Sequence, residues 1–171
     1  MKDTDLTIQN FLGTHHAAEA TELLAERIAL IVHKLKFIPD SQRAKVSYLK
    51  QDSPLTFQQD TYLDEAIRLA GGIPQSNPQD PNFSPEVLII IADQSIGTLL
   101  SELPTTLSMD FWPETLAVKN NQVFIVHHPE YLRTPSLHPA DDVEILAEII
   151  HPGYFVFGRN EDAWMAFDLS A

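Results

Sequence analysis

The sequence predicts an α/β fold built around a mainly parallel sheet. Residues 87–92 form an unbroken apolar run, which is typical of a central strand buried on both faces. Two further strand-like segments, 44–49 and 123–127, are separated from this run by stretches that carry helix or loop signals. Because helix-like and strand-like segments alternate along the chain, we expect crossover connections and parallel neighbouring strands.

The first half of the chain begins with a helical pattern. Apolar residues recur at helical spacing from Asp5 to Lys36, which predicts one long helix in which Gly13 is the position for a kink. Pro39 cannot continue this helix, so a turn follows, and 44–49 then forms the first strand. A second helix is predicted from about Asp60 to Ala70, where Gly71-Gly72 supplies the left-handed conformation common at helix ends.

The second half begins with an extended connection, because residues 73–85 hold four of the twelve prolines. After the central strand, Ser95 to Leu103 forms a short helix. Asn120-Asn121 makes a tight turn into the strand 123–127. The last helix starts at Pro139 or Ala140 and runs to about Ile150.

Composition narrows the possible partners. The 171 residues carry 11 basic and 24 acidic side chains, a net charge of −13 that opposes phosphate backbones, so we expect no nucleic-acid partner. There is no cysteine, which excludes thiolate chemistry and disulfides. The sequence lacks an apolar run of transmembrane length, and its first residues lack the layout of a secretion signal. Either the protein is cytosolic, or the numbering begins inside a longer, exported precursor.

Polar side chains that could contact a ligand follow the predicted strands. His128 lies where the third strand ends, and Asp93-Gln94-Ser95 follow the central strand, at the edge where open α/β sheets collect ligands. In the next loop, Tyr131 and Arg133 could stack on and pair with a bulky anion. For Asp93-Gln94-Ser95 the alternative is a polar turn with a helix cap. For Tyr131 and Arg133 the alternative is a packed loop in which the arginine is solvated.

The sequence also predicts that the protein is not an enzyme. Adjacent histidines, as in His15-His16 and His127-His128, point in different directions on a helix or strand, so neither pair easily chelates one ion. Glycine-rich phosphate loops, the Gly-x-Ser-x-Gly elbow and the His-Glu-x-x-His motif are all missing from the sequence. We therefore expect no catalytic residue, no bound metal and no cofactor.

Six segments in a fixed order resemble one family, over residues 6 to about 164. That family is the class III substrate-binding proteins of ABC importers for cobalamin, haem and ferric siderophores, and the match is to its interlobe helix and C-terminal lobe. The resemblance is carried by the long helix, Thr61-Tyr62-Leu63 with Ala70-Gly71-Gly72, Pro85 to Ile90, Trp112 to Val126, Tyr131 to Pro135, and Glu144 to Pro152. The end of the chain, Phe155-x-Phe-Gly158 with Trp164, is similar to corrinoid-binding members.

The resemblance implies an architecture and a function. The fold would be a three-layer, Rossmann-like lobe with a mainly parallel sheet, preceded by a long N-terminal helix. Residues 1–40 would be the interlobe-type helix and 41–171 the lobe, in one compact domain. The chain would supply one wall of a cleft that captures a corrinoid, haem or ferric siderophore. The expected ligand contacts are Gln51, Tyr62, Gln94, Ser95, His128, Tyr131 and Arg133.

The implied partners are a small-molecule solute, an ABC permease, and either a missing N-terminal lobe or a second copy of the chain. By resemblance the location is periplasmic or extracytoplasmic. The alternative is a degenerate lobe without a transport ligand, which acts as a dimerising or protein-interaction module. That module would pair through the long helix, and its dimer seam would use Phe11, Leu24, Ile28 and Ile31.

Overall fold

A computed structural model describes residues 2–15, 21–51, 57–92, 96–134 and 136–169. These residues form two compact units. The helical unit contains residues 1–43, 60–73 and 130–159, and the sheet unit contains residues 44–59, 74–129 and 160–171. The predicted single domain with a boundary after residue 40 stays a prediction.

The sheet unit is organised around a five-stranded sheet. Its strands are β1 (Lys45–Lys50), β2 (Ile73–Pro74), β3 (Val87–Ile91), β4 (Val123–Val126) and β5 (Trp164–Phe167). The strand order is β2-β1-β3-β4-β5, with β3 parallel to both β1 and β4, and β5 antiparallel to β4. All five side chains of β3 are buried, as its apolar sequence predicts. The predicted α/β class with a mainly parallel sheet is confirmed.

The helices α4 (Ile96–Leu107) and α5 (Leu116–Lys119) belong to the same unit. The sequence placed the end of α4 at Leu103, before Pro104, but the helix continues for four more residues. Leu99, Leu103 and Leu107 are all buried in one apolar cluster with strand residues, and this spacing of four extends the buried face past the proline. The cluster also contains Trp112.

The helical unit is built from α1 (Lys2–His15), α2 (Thr21–Leu35), α3 (Thr61–Leu69) and α6 (Pro139–Ile150). Asp60 caps α3, because its carboxylate accepts hydrogen bonds from the backbone N–H groups of Tyr62 and Leu63. Helix α6 has the predicted bounds, with Pro139 in its first turn. Among the described residues, no helix is both long and apolar enough to cross a membrane.

The expectation of one long N-terminal helix is wrong. The segment contains two helices that pack against each other, and the start of α1 lies beside the end of α2, where Thr4 and Lys36 line the same cavity. Residues 16–20, between the helices, lie outside the described residues. The pairing has a physical reason: both segments are amphipathic, and a hairpin buries apolar side chains of each.

The glycine pair after α3 has the predicted role. Gly71 adopts a φ of +87°, and its N–H donates to the Arg68 carbonyl at 3.1 Å. A Cβ at this position would lie 2.5 Å from Leu35 Cδ2 and 2.7 Å from His151 Nε2. Both the backbone conformation and the close packing therefore favour glycine at residue 71.

Candidate functional site

The predicted ligand contacts fall in both units. Gln51 and His128 belong to the sheet unit, whereas Tyr62, Tyr131 and Arg133 belong to the helical unit. The remaining two predicted contacts, Gln94 and Ser95, lie outside the described residues.

In the sheet unit, Gln51 and His128 follow the carboxyl ends of two parallel strands. The N–H of Gln51 donates to the Ile91 carbonyl at 2.9 Å, which extends the β1–β3 ladder by one residue. After β4, the N–H of His128 lies 3.4 Å from the Ala163 carbonyl. Since β3 separates β1 from β4, these backbone positions are about 10 Å apart across the edge. The predicted placement of His128 at the carboxyl edge is thus observed, and Gln51, which the resemblance implied, lies at the same edge; contact of either residue with a ligand stays a prediction.

In the helical unit, a buried carboxylate organises the loop that contains Tyr131 and Arg133. Asp142 is fully buried and accepts hydrogen bonds from the Leu132 N–H at 2.8 Å and the Ser136 hydroxyl at 2.7 Å. The Tyr62 hydroxyl donates to the same carboxylate. Burial raises the pKa of Asp142 to about 6, although the three donors favour its charged form.

Tyr62 is therefore a part of the internal framework. Its side chain is 1% exposed, its ring stacks on Phe11 with centroids 5.1 Å apart, and its hydroxyl is bonded to Asp142. Burial, and then the neighbouring carboxylate, raise the pKa of Tyr62. The geometry gives this residue a positioning role, and its direct contact with a ligand stays a prediction.

The backbone of the loop is held in an uncommon conformation. Leu132 has a φ of +58°, is buried, and donates its N–H to Asp142. A branched side chain rarely adopts this left-handed region, and such conformations persist only when the surrounding structure enforces them. The Asp142 hydrogen bond and the burial of Leu132 provide that enforcement. As a result the backbone between Tyr131 and Arg133 is fixed, while both of these side chains are half-exposed.

Two arginines and two carboxylates form a network next to this loop. The Arg27 guanidinium binds Glu144 through two hydrogen bonds, of 3.0 and 2.8 Å, and binds Asp141 at 3.0 Å. Arg159 also binds both carboxylates, with 3.0 Å to Glu144. Burial would raise the pKa of Asp141, but the two guanidinium groups outweigh it and lower this pKa.

The network extends to Tyr131. The Arg159 guanidinium lies 5.9 Å from the centre of the Tyr131 ring, and its Nη1 is 3.4 Å from the Tyr131 hydroxyl. A second contact to Tyr131 comes from His138, whose ring packs edge-on against the Tyr131 ring with the centroids 5.6 Å apart. His138 Nε2 in turn lies 3.3 Å from Glu130. Tyr131 is therefore oriented by two neighbours rather than placed freely in the loop.

The histidines do not form a metal centre in the part of the chain that the structure describes. No group of three histidine or acidic side chains there could hold a metal ion. The two ring nitrogens of His138 face Glu130 at 3.3 Å and Asp141 at 3.9 Å, and His127 and His128 follow β4 in the other unit.

The role of Asp142 as the acceptor for three buried donors was not predicted from the sequence. The signal was present in the pattern, because Asp142 is in phase with the buried Ile145, Leu146 and Ile149 of α6. An acidic residue on the apolar face of a helix requires buried donors. Their identity was not available from the sequence, since Tyr62 is 80 positions away.

The expected dimer seam of the alternative function is not available to a partner. Phe11, Ile28 and Ile31 are at most 2% exposed within the single chain, and Leu24 is half-buried. This part of the expectation is wrong, because the hairpin formed by α1 and α2 already covers the apolar faces that a second copy would need.

Comparison with known proteins gives the same fold. No family model and no curated protein matches the chain. Among solved structures it is similar to an ABC transporter substrate-binding protein from Listeria monocytogenes EGD-e, with a TM-score of 0.61, 15% identity and coverage of 88% of this chain and 64% of that one. It is also similar to S. aureus IsdE complexed with heme, with a TM-score of 0.62, 15% identity and the same two coverages.

A third match is an ABC transporter solute binding protein from Sulfurospirillum deleyianum DSM 6946. Its TM-score is 0.58 at 20% identity, and the match covers 91% of this chain and 53% of that one. The chain therefore spans between 53% and 64% of the length of the three proteins. At these identities the matches establish the fold, and the predicted resemblance to periplasmic substrate-binding proteins is confirmed at that level.

Proposed function

We propose that this chain supplies one wall of a ligand-binding cleft in a solute-binding protein for ABC-type import. The observation that carries the proposal is the fold itself, since three solved structures with this fold are substrate- or solute-binding proteins of ABC transporters. Function does not follow from fold alone, so the assignment rests on the site as well. In the helical unit this support is a fixed loop with an aromatic ring, Tyr131, and a cation, Arg133.

The proposed solute is a corrinoid, haem or a ferric siderophore. One of the similar proteins, S. aureus IsdE, binds heme. The Tyr131 ring would stack on a flat or aromatic solute, and the Arg133 guanidinium would pair with its carboxylates. Gln51, Gln94, Ser95 and His128 are further contacts that the resemblance implies. The corrinoid is included because the sequence around Phe155 and Trp164 resembles corrinoid-binding proteins.

Preorganisation supports the loop as a contact surface. Asp142 fixes the backbone at Leu132, and Arg159 and His138 orient the Tyr131 ring, so little ordering is required when a solute arrives. The second wall of the cleft would come from an N-terminal lobe or a second copy of the chain. Loaded protein would dock on an ABC permease, in a periplasmic or extracytoplasmic location, without making or breaking a covalent bond.

A titration tests the proposal. Purified protein is mixed with haemin, a ferric siderophore or cyanocobalamin, and absorbance is followed while light scattering gives the mass in solution. We expect saturable binding of one solute. A folded protein that binds none of the three, either as a monomer or as a dimer, would contradict the proposed solute class.

The site assignment is tested by the double variant Tyr131→Ala/Arg133→Gln. Loss of one stacking partner and one charged partner should weaken solute binding by about tenfold or more, without lowering the unfolding midpoint by more than a few degrees. The control is Lys119→Gln, which removes an exposed cation from α5. Equal affinities of the double variant and the control would remove Tyr131 and Arg133 from the site.

A further inference from the structure

A cavity lies in the helical unit, and none of the predicted ligand contacts lines it. The cavity has a volume of about 630 Å³ and is formed by α1, the end of α2, Arg43 and α3. Small-molecule sites commonly have volumes of about 300–1,000 Å³, so this cavity is large enough for a ligand.

The charge of the cavity is opposite to that of the whole chain. Three cationic side chains, Lys36, Arg43 and Arg68, line it together with a single carboxylate, that of Glu65. The chain has only 11 lysines and arginines and a net charge of −13, so three of its 11 cationic side chains line one cavity. This local excess of positive charge favours an anion.

Arg43 has donor capacity left for such an anion. Its Nε is buried and has no hydrogen-bond partner among the described residues, although it lies 3.3 Å from the carboxylate of the solvent-exposed Asp40. A guanidinium has five N–H donors in a planar fork, which suits a carboxylate or a phosphate. A buried donor without a hydrogen bond is a cost that a bound anion would relieve.

The uncharged lining consists of three polar residues, Thr4, Thr7 and Asn10, and an apolar part of the wall. Phe11, Leu35 and Leu69 are buried residues that form part of the cavity wall, and Val32 lies beside them. The Phe11 ring is held by its stack on Tyr62, with 13° between the ring planes. A ligand that fits both parts of the wall carries an apolar body in addition to its charge.

The groove on the other side of the hairpin has the opposite character. It is lined by Asp5, Glu22 and Glu26 and has a volume of about 270 Å³. Cations therefore concentrate in one groove of the α1–α2 pair and carboxylates in the other. An anion would be attracted to the first and repelled from the second.

We propose that the cavity between α1, α2 and α3 binds an amphipathic anion, with a carboxylate or phosphate head and an apolar body. Lys36, Arg43 and Arg68 contact the head, and Phe11 and Leu35 contact the body. The site is separate from the proposed solute cleft and does not depend on it. It adds a second ligand to a chain whose sequence pointed only to the first.

Calorimetric titration with octanoate, octyl phosphate and 1-octanol tests this site. We expect saturable binding of at least one of the two anions, and at least about tenfold weaker binding of the uncharged alcohol. The tighter of the two anions identifies the head group. Absence of saturable binding by both anions, or equal binding of octanol, would overturn the proposal.

Two variants locate the binding. Lys36 and Arg68 are exposed, so Lys36→Gln and Arg68→Gln should leave the unfolding midpoint unchanged and weaken anion binding by about three- to fivefold each. Lys119→Gln, which removes a cation from the sheet unit, should leave anion binding unchanged. Anion binding that is insensitive to the first two variants would overturn the site. Competition between octanoate and haemin for one site would also overturn it, whereas failure of haemin to bind would concern only the proposed solute cleft.

Discussion

Removal of the Asp142 side chain should destabilise the protein more than most single substitutions. In Asp142→Ala, the N–H of Leu132 and the hydroxyls of Tyr62 and Ser136 lose their common acceptor, and all three residues are at most 5% exposed. Each buried donor without a partner costs about 1–3 kcal/mol, and partial relaxation brings the expected total to about 3–5 kcal/mol. That is a large part of the stability of about 5–15 kcal/mol that is usual for a domain.

The same residue predicts a specific pH dependence. An aspartate carboxyl group ordinarily has a pKa of 3.8, and burial raises the pKa of Asp142 in the folded protein to about 6. Between these values the folded state binds a proton that the unfolded state lacks, so this group makes the protein less stable as pH rises through the window. The full effect is about 3 kcal/mol, from roughly two pKa units at 1.36 kcal/mol each.

Urea unfolding of the wild type, Asp142→Asn and Asp142→Ala at pH 4 and pH 7 measures both effects. The asparagine variant keeps the shape but cannot titrate, so the difference between wild type and Asp142→Asn isolates this carboxyl group. We expect the wild type to gain stability relative to Asp142→Asn on acidification from pH 7 to pH 4. A difference that is constant, or that moves in the opposite direction, would refute the assigned pKa shift. A loss below about 1 kcal/mol in Asp142→Ala would refute the hydrogen-bond argument.

Two further substitutions test the packing and the charged network of the helical unit. Gly71→Ala should cost about 2–4 kcal/mol in urea unfolding, because it combines an unfavourable φ with a collision against Leu35. Gly153→Ala is the matched control, since Gly153 has a φ of +80° but no other atom within 4 Å of the place where a Cβ would lie; similar losses in both variants would contradict the collision. Arg27→Gln should cost about 1 kcal/mol, and less at high salt, because its two hydrogen bonds to Glu144 are lost at a site that is 30% exposed. A loss that is independent of salt concentration would show that packing, and not charge, accounts for the effect.

The sequence predicted the elements that have strong local signals. The apolar run of β3 and the bounds of α6 could be read directly, because burial on both faces and a proline in the first helical turn leave clear patterns. Strand β5 was missed, since its four residues are only partly buried or exposed and show no clear alternation. The hairpin of α1 and α2 was also missed, because the apolar residues of both segments recur at helical spacing, a pattern that is also typical of one continuous helix.

The site could be predicted only in part. The position of His128 follows from the rule that parallel strands share a carboxyl edge, and the structure agrees, whereas Gln51 was implied only by the resemblance. The network that orients Tyr131 could not be foreseen, since Arg27 is 114 and 117 positions from its two carboxylate partners. Pairings across such separations depend on the completed fold, which no local pattern encodes.

Hydrogen–deuterium exchange of the protein, alone and loaded with the tightest-binding of haemin, ferric siderophore and cyanocobalamin, tests the central claim most directly. We predict that the solute slows exchange of backbone amides in 127–134 and at Gln51, and leaves α1 unchanged. Absence of a bound solute, or protection confined to helices α1 and α2, would contradict the assignment of the solute cleft.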